Sequence, residues 1–159
     1  MISERDIFTF QAEQQATYFS NLSSKGKSMN VFLVEDSLVI RHRLKRLLAE
    51  VAEVQVIGET GDAQEGLVAI LKQKPDVVLL DIHLLNGNGI DLLQNLKKNK
   101  PTPAVIVLTN YPYQQYRQKC LDAGADFFFV KSTEFDQVVP ALKQLLQQAR
   151  NSVSSPPTV

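Results

Sequence analysis

The sequence predicts an α/β domain in which a parallel sheet carries helices on both faces. Three observations predict it. Val31-Phe32-Leu33-Val34, Val77-Val78-Leu79-Leu80, Ala104-Val105-Ile106-Val107-Leu108 and Phe127-Phe128-Phe129-Val130 are short, unbroken apolar runs, the pattern of strands covered on both sides. Between them lie stretches with apolar residues at helical spacing. Strand and helix therefore alternate with short connections, as parallel strands joined by right-handed crossovers do.

After the first strand, Leu44, Leu47, Leu48 and Val51 predict a helix from Leu38 to Val51. Val54-Gln55-Val56-Ile57 alternates in part, as an edge strand does, and completes a set of five strands. The second helix, Ala63 to Lys72, opens on Asp62 with Glu65 three residues on, which resembles a capping box, and closes at Lys74-Pro75-Asp76. Further helices are predicted from Ile90 to Lys98 and from Tyr113 to Asp122. At the end, Thr133 could cap a start at Glu134, but Pro140 would then delete a backbone hydrogen bond inside the helix. The expectation is a short turn over Glu134 to Val138 and a helix beginning near Pro140.

Residues 30–149 are thus read as one domain, and 159 residues leave little room for another. Residues 1–29 read as a weakly ordered extension and linker that carries Phe8, Phe10, Tyr18 and Phe19, with Met29 as an alternative natural start. Residues 150–159, with Ser-Ser-Pro-Pro, read as a flexible tail. The balance of 17 basic and 17 acidic residues advertises neither nucleic-acid binding nor a solvating tail. Cys120, the single cysteine, cannot form an intramolecular disulfide, which suits a reducing compartment, and reads as a small apolar helix residue. No apolar run approaches the ~20 residues that span a bilayer, and the first residues do not resemble a leader. A cytoplasmic protein with no membrane partner is the expectation.

In an open parallel sheet, ligands bind beyond the carboxyl ends of the strands. There the first strand ends in Glu35-Asp36, the third in Asp81 and the fourth in Thr109, and Lys131 follows the fifth. Three carboxylates brought together raise one another's pKa and call for positive charge. Lys131 supplies one unit, and a divalent cation would supply two. Mg²⁺ suits hard oxygen ligands and keeps positions open for phosphoryl oxygens. Such a site would perform phosphoryl transfer, in which catalysis is largely positioning and electrostatic stabilisation, with Asp81 as nucleophile.

Over residues 30 to about 149 the sequence resembles the receiver domains of two-component response regulators. The acidic pair Glu35 and Asp36, the phosphoacceptor position Asp81, the hydroxyl Thr109, the aromatic Phe128 and Lys131 three residues later stand in the family's order. The resemblance implies a flavodoxin-like (βα)5 sheet of order 2-1-3-4-5. It implies phosphorylation of Asp81 by a sensor histidine kinase or histidine phosphotransfer protein, and Mg²⁺ held by Glu35, Asp36, Asp81 and the backbone carbonyl of His83. Thr109 and Lys131 would stabilise the phosphoryl group. Thr109 and Phe128 would then switch the binding of a downstream protein, or a phosphorylation-dependent homodimer, as a population shift.

Some positions depart from the family. Leu84-Leu85 replaces the usual Met-Pro, with little functional effect expected, and Ser132 replaces a cis proline after Lys131, which leaves that peptide's isomer open. Asn110 and Tyr111 could crowd the pocket and change the lifetime of the phosphate, in a direction the sequence leaves open. His42, between Arg41 and Arg43, reads as a solvated helix residue, and the basic stretch Arg41 to Arg46 as exposed surface.

A signalling switch rather than an enzyme is the leading expectation. A haloacid-dehalogenase-type phosphohydrolase would want a second aspartate where His83 stands. A DNA-binding regulator would need an output part, and the short tail after Gln148 cannot hold a helix-turn-helix. A flavin carrier would need a hydroxyl-rich loop where Glu35-Asp36 stand.

Overall fold

The computed structural model describes residues 28–153. The extension over residues 1–27 and the last part of the expected tail lie outside the described residues. Five parallel strands, β1 (Met29–Val34), β2 (Val54–Thr60), β3 (Val77–Leu80), β4 (Ala104–Thr109) and β5 (Phe127–Val130), form one sheet in the order β2-β1-β3-β4-β5. Five helices connect or follow them: α1 (Leu38–Ala49), α2 (Ala63–Gln73), α3 (Gly89–Lys98), α4 (Gln114–Asp122) and α5 (Val138–Val153). This is the flavodoxin-like arrangement expected.

Alternation along each strand sorts the apolar side chains into two layers. Val31, Leu33, Val77, Leu79, Ile106 and Leu108 face α1 and α5 and pack on Leu44, Leu48, Val138, Leu142 and Leu145. Their neighbours Phe32, Val34, Val78, Leu80, Val105, Val107 and Phe128 face the other way, onto Ile70, Leu92, Leu93, Leu96 and Cys120. Burial on both faces is what left the central strands without polar alternation. The edge strand β2 is longer than expected and reaches Thr60, and its register slips by one residue between the partners of Val31 and Phe32.

Several local expectations need correction. Asp62 caps α2 through Gln64 N–H (2.8 Å) and Glu65 N–H (3.0 Å), but Glu65 does not return the bond. Its carboxylate accepts from Thr60 Oγ1 at 3.0 Å instead, so the capping box is one-sided. At the end of the chain the expected short turn and the helix with Pro140 in its first turn are present, and an unexpected helical turn precedes them. One helical turn spans Lys131–Glu134, a 3₁₀ turn spans Phe135–Gln137, and α5 begins at Val138, two residues before Pro140. Proline in this first turn deletes no intrahelical bond, because the first four N–H groups have no partner there. α5 also runs on through Val153, so residues 150–153 belong to the helix and not to a tail.

Candidate functional site

The sheet brings the polar strand ends to one place. Glu35 and Asp36 leave β1, and Glu35 N–H donates to the Thr60 carbonyl (2.9 Å) at the end of β2. Asp81 leaves β3, and its N–H donates to the Val34 carbonyl at 2.9 Å, which sets it beside Glu35. In the β4–β5 register Thr109 pairs with Val130, so Lys131 emerges one residue beyond Thr109.

Glu35, Asp36 and Asp81 present carboxylate oxygens that all lie within 4.8 Å of one another. Glu35, Asp81, Thr109 and Lys131 are buried, and Asp36 is exposed. Lys131 Nζ reaches Glu35 Oε2 at 2.5 Å and Asp81 Oδ2 at 2.8 Å. The other Asp81 oxygen accepts the Ile82 N–H at 2.7 Å. Burial pushes the Glu35 carboxyl above its ordinary range despite hydrogen bonds from Lys131 and the Ser37 N–H, and the Asp81 charge adds to the rise. Burial alone would lower the Lys131 pKa, but its hydrogen bonds to Asp81 and Glu35 and their charges hold it above the ordinary lysine value.

Three carboxylates against one ammonium leave two negative charges. The donors are all hard oxygens with an exposed member on the solvent side, so the residues fit a divalent cation of the Mg²⁺ kind. The Lys131–Ser132 peptide is trans, and the ammonium group still enters the acidic cluster. The lysine therefore needs no cis bond here.

Thr109 is buried on the face that carries Val107 and Phe128, and its Oγ1 accepts the Tyr111 N–H at 3.4 Å. Phe128 is buried with the Arg117 guanidinium 5.5 Å from its ring centre. In the basic stretch on α1, Arg43 and Arg46 are exposed as expected, and Arg41 and Lys45 are half-buried. His42 is exposed as expected, but the Arg43 guanidinium sits 3.8 Å from the centre of the Phe135 ring.

Sequence reasoning missed an aromatic group at the rim. The rings of His83 and Tyr111 lie 4.0 Å apart, and Tyr116 and Tyr113 extend the group, with ring centres 6.2 Å and 6.4 Å from Tyr111. The positions of His83 and Tyr111 just past the ends of β3 and β4 were the available signal, because those strands are neighbours in the sheet. A cleft of about 660 Å³ between α3 and α4 opens beside His83 and Tyr116 and is lined by none of the three acids.

The sequence pattern of the response regulator receiver domain matches residues 31–143. The chain belongs to this family. Among similar proteins, the sensory transduction protein LytT of Bacillus anthracis is 33% identical over 125 residues, 79% of this chain and 50% of LytT. The DNA-binding transcriptional activator DevR/DosR of Mycobacterium tuberculosis is 33% identical over 117 residues, 74% of this chain and 54% of the activator. The receiver domain thus spans about half the length of these curated relatives. The response regulator domain of Thermotoga maritima CheB superposes with a TM-score of 0.66 and 29% identity, covering 82% of this chain and all of that one. No helix among the described residues is long and apolar enough to cross a membrane.

Proposed function

We propose that this receiver domain accepts a phosphoryl group on Asp81 from a histidine kinase or histidine phosphotransfer protein and thereby switches its affinity for a protein partner. The observation that carries the reading is the pairing of Lys131 with both Asp81 and Glu35 inside a buried acidic cluster that retains two unbalanced negative charges. Glu35, Asp36, Asp81 and the His83 carbonyl would hold Mg²⁺, which supplies charge neutralisation for the incoming phosphoryl oxygens. In the transfer, an Asp81 carboxylate oxygen forms a bond to phosphorus while the phosphorus–nitrogen bond of the phosphohistidine breaks and its electron pair leaves with the imidazole. Lys131 stabilises the charge on the phosphoryl oxygens, and the Thr109 hydroxyl, whose oxygen accepts the Tyr111 N–H, donates its own proton to them.

Leu38, Val39 and Leu85 are more than half exposed and, with the exposed Tyr111 and Tyr113, follow the polar strand ends by a few residues, an apolar surface that suits a protein phosphodonor. Phe128 on the Thr109 face supports a coupling of that hydroxyl to the ring. The domain takes and holds a phosphoryl group without turning over a substrate of its own. The position that a haloacid-dehalogenase-type phosphohydrolase would fill with a second acid holds the exposed His83, its ring 4.0 Å from that of Tyr111 and tilted by 42°. Incubation with Mg²⁺ and acetyl phosphate followed by intact mass tests the proposal. One phosphoryl adduct on the wild type and none on Asp81→Asn is expected, and equal labelling of both would refute it.

A further inference from the structure

The loop after Asp81 is tied to a turn that the site does not otherwise use. Residues 83–88 form a tight hairpin in which His83 faces Asn88 and Leu84 faces Gly87. The turn places Asn86 at φ 50°, a conformation that asparagine tolerates better than most residues. Leu85, at the hairpin tip, forms a parallel bridge with Asp62. Its N–H donates to the Gly61 carbonyl at 3.0 Å, and its carbonyl accepts the Ala63 N–H at 2.8 Å. The Asn86 side-chain amide donates to the Asp62 carboxylate. A Cβ on Gly87 would stand 3.0 Å from that of Ala63, so the two segments are also in close steric approach.

One of these ties, the Leu85 N–H bond, depends on the departure from the family pattern. A proline at position 85 would have no N–H to give Gly61. The Asp62 carboxylate does two jobs at once. One oxygen caps α2 and the other holds Asn86, and the Glu65 N–H and the Asn86 amide together keep its pKa below the ordinary range. The far side of the loop is equally constrained. Gly89 N–H donates to the Ile82 carbonyl at 2.7 Å, and a Cβ on Gly89 would come within 2.9 Å of the Asp81 carbonyl carbon. Held at both ends, the segment from Ile82 to Asn88 has little freedom to move the His83 carbonyl.

We propose that the β2–α2 turn, Gly61–Ala63, is a strap that positions the His83 carbonyl for the metal, with Asp62 and Asn86 as positioning residues and the Leu85 N–H as the bond that replaces proline's stiffness. The inference rests on the metal-dependent reading of the site. Asn86→Gly tests it, because glycine keeps the backbone conformation and removes only the amide that reaches Asp62. Titration with Mg²⁺ by calorimetry, read beside hydrogen exchange at Leu85, is expected to give an affinity weaker by about 10-fold, as when a partner of a metal ligand is lost, with faster exchange at that amide. Arg150→Ala is the control, since Arg150 pairs with Glu53 at the amino end of β2, and its affinity stays within about 2-fold of wild type on the additivity of distant sites. An Asn86→Gly affinity equal to wild type, with Leu85 exchanging faster, overturns the strap alone. A wild type whose Mg²⁺ binding is absent, or survives Asp81→Asn, overturns the reading of the site and the strap with it.

Discussion

At the amino end of the sheet, Asp76 and Asp126 precede β3 and β5, and each serves the neighbouring strand. Asp76 accepts the Asn30 N–H at 2.7 Å and returns its own N–H to the Asn30 carbonyl at 2.8 Å. Asp126 does the same with Val105, at 2.8 Å and 2.9 Å. At the carboxyl end Asp81 and Glu35 also accept backbone N–H groups, from Ile82 and Ser37, but they lie beside each other and share a single ammonium group. The same residue type is thus spent on strand pairing at one end and left with unbalanced charge at the other. What marks the proposed functional end is the clustering of three carboxylates around one ammonium group.

Substitutions at the two ends can break this contrast. Lys131→Met is expected to have the largest effect, a loss of about 3–5 kcal/mol in urea unfolding at neutral pH, because it strands buried charges. Added Mg²⁺ should recover part of that loss, and a loss that Mg²⁺ leaves untouched would argue against charge as the cause. Asp76→Ala at the other end should cost about 1–3 kcal/mol by leaving the Asn30 N–H without its carboxylate partner. Labelling by acetyl phosphate should be unaffected by that change, and a phosphorylation defect would blur the division between the ends.

The pH dependence of Asp76→Asn sharpens the contrast further. Burial raises the Asp76 pKa above its ordinary 3.8 against the hydrogen bond from Asn30 N–H. The unfolded chain therefore loses this proton at lower pH than the folded one, and stability falls as pH rises from that ordinary value through the raised one. Asparagine cannot ionise, so its melting temperature relative to wild type should be higher at pH 7 than at pH 3, with a small difference read by thermal unfolding. A constant difference across that window would mean that Asp76 carries no such cost. The smallest expected effect is at Cys120, whose thiol is buried and pushed up to about 11, so alkylation of the native protein at pH 8 should be negligible beside that of the unfolded chain.

The strands and the four buried polar positions were legible because burial on both faces writes unbroken apolar runs, and the runs end where Glu35, Asp81, Thr109 and Lys131 begin. The chain's last segment was harder. Glu134 folds back so that its carboxylate accepts the Val130 N–H at 2.8 Å, which supports a helical turn that propensity alone does not announce. The tie between Asp62 and Asn86 joins residues 24 apart, and nothing in either segment's local pattern encodes it. Asp62 and Glu65 did have the spacing of a reciprocal cap, but Thr60, brought near by the end of β2, took the glutamate instead. Local rules placed the elements, and tertiary partners decided how their loops are held.

The contrast between the two ends is tested most directly by the rise in melting temperature that Mg²⁺ produces. A ligand that binds only the folded state stabilises it in proportion to the logarithm of its concentration over Kd. Wild type and Asp76→Asn should gain the same number of degrees across a Mg²⁺ series, and Asp81→Asn should gain far less. An Asp81→Asn protein that gains as much as wild type would contradict the assignment of the unbalanced charge to the carboxyl end.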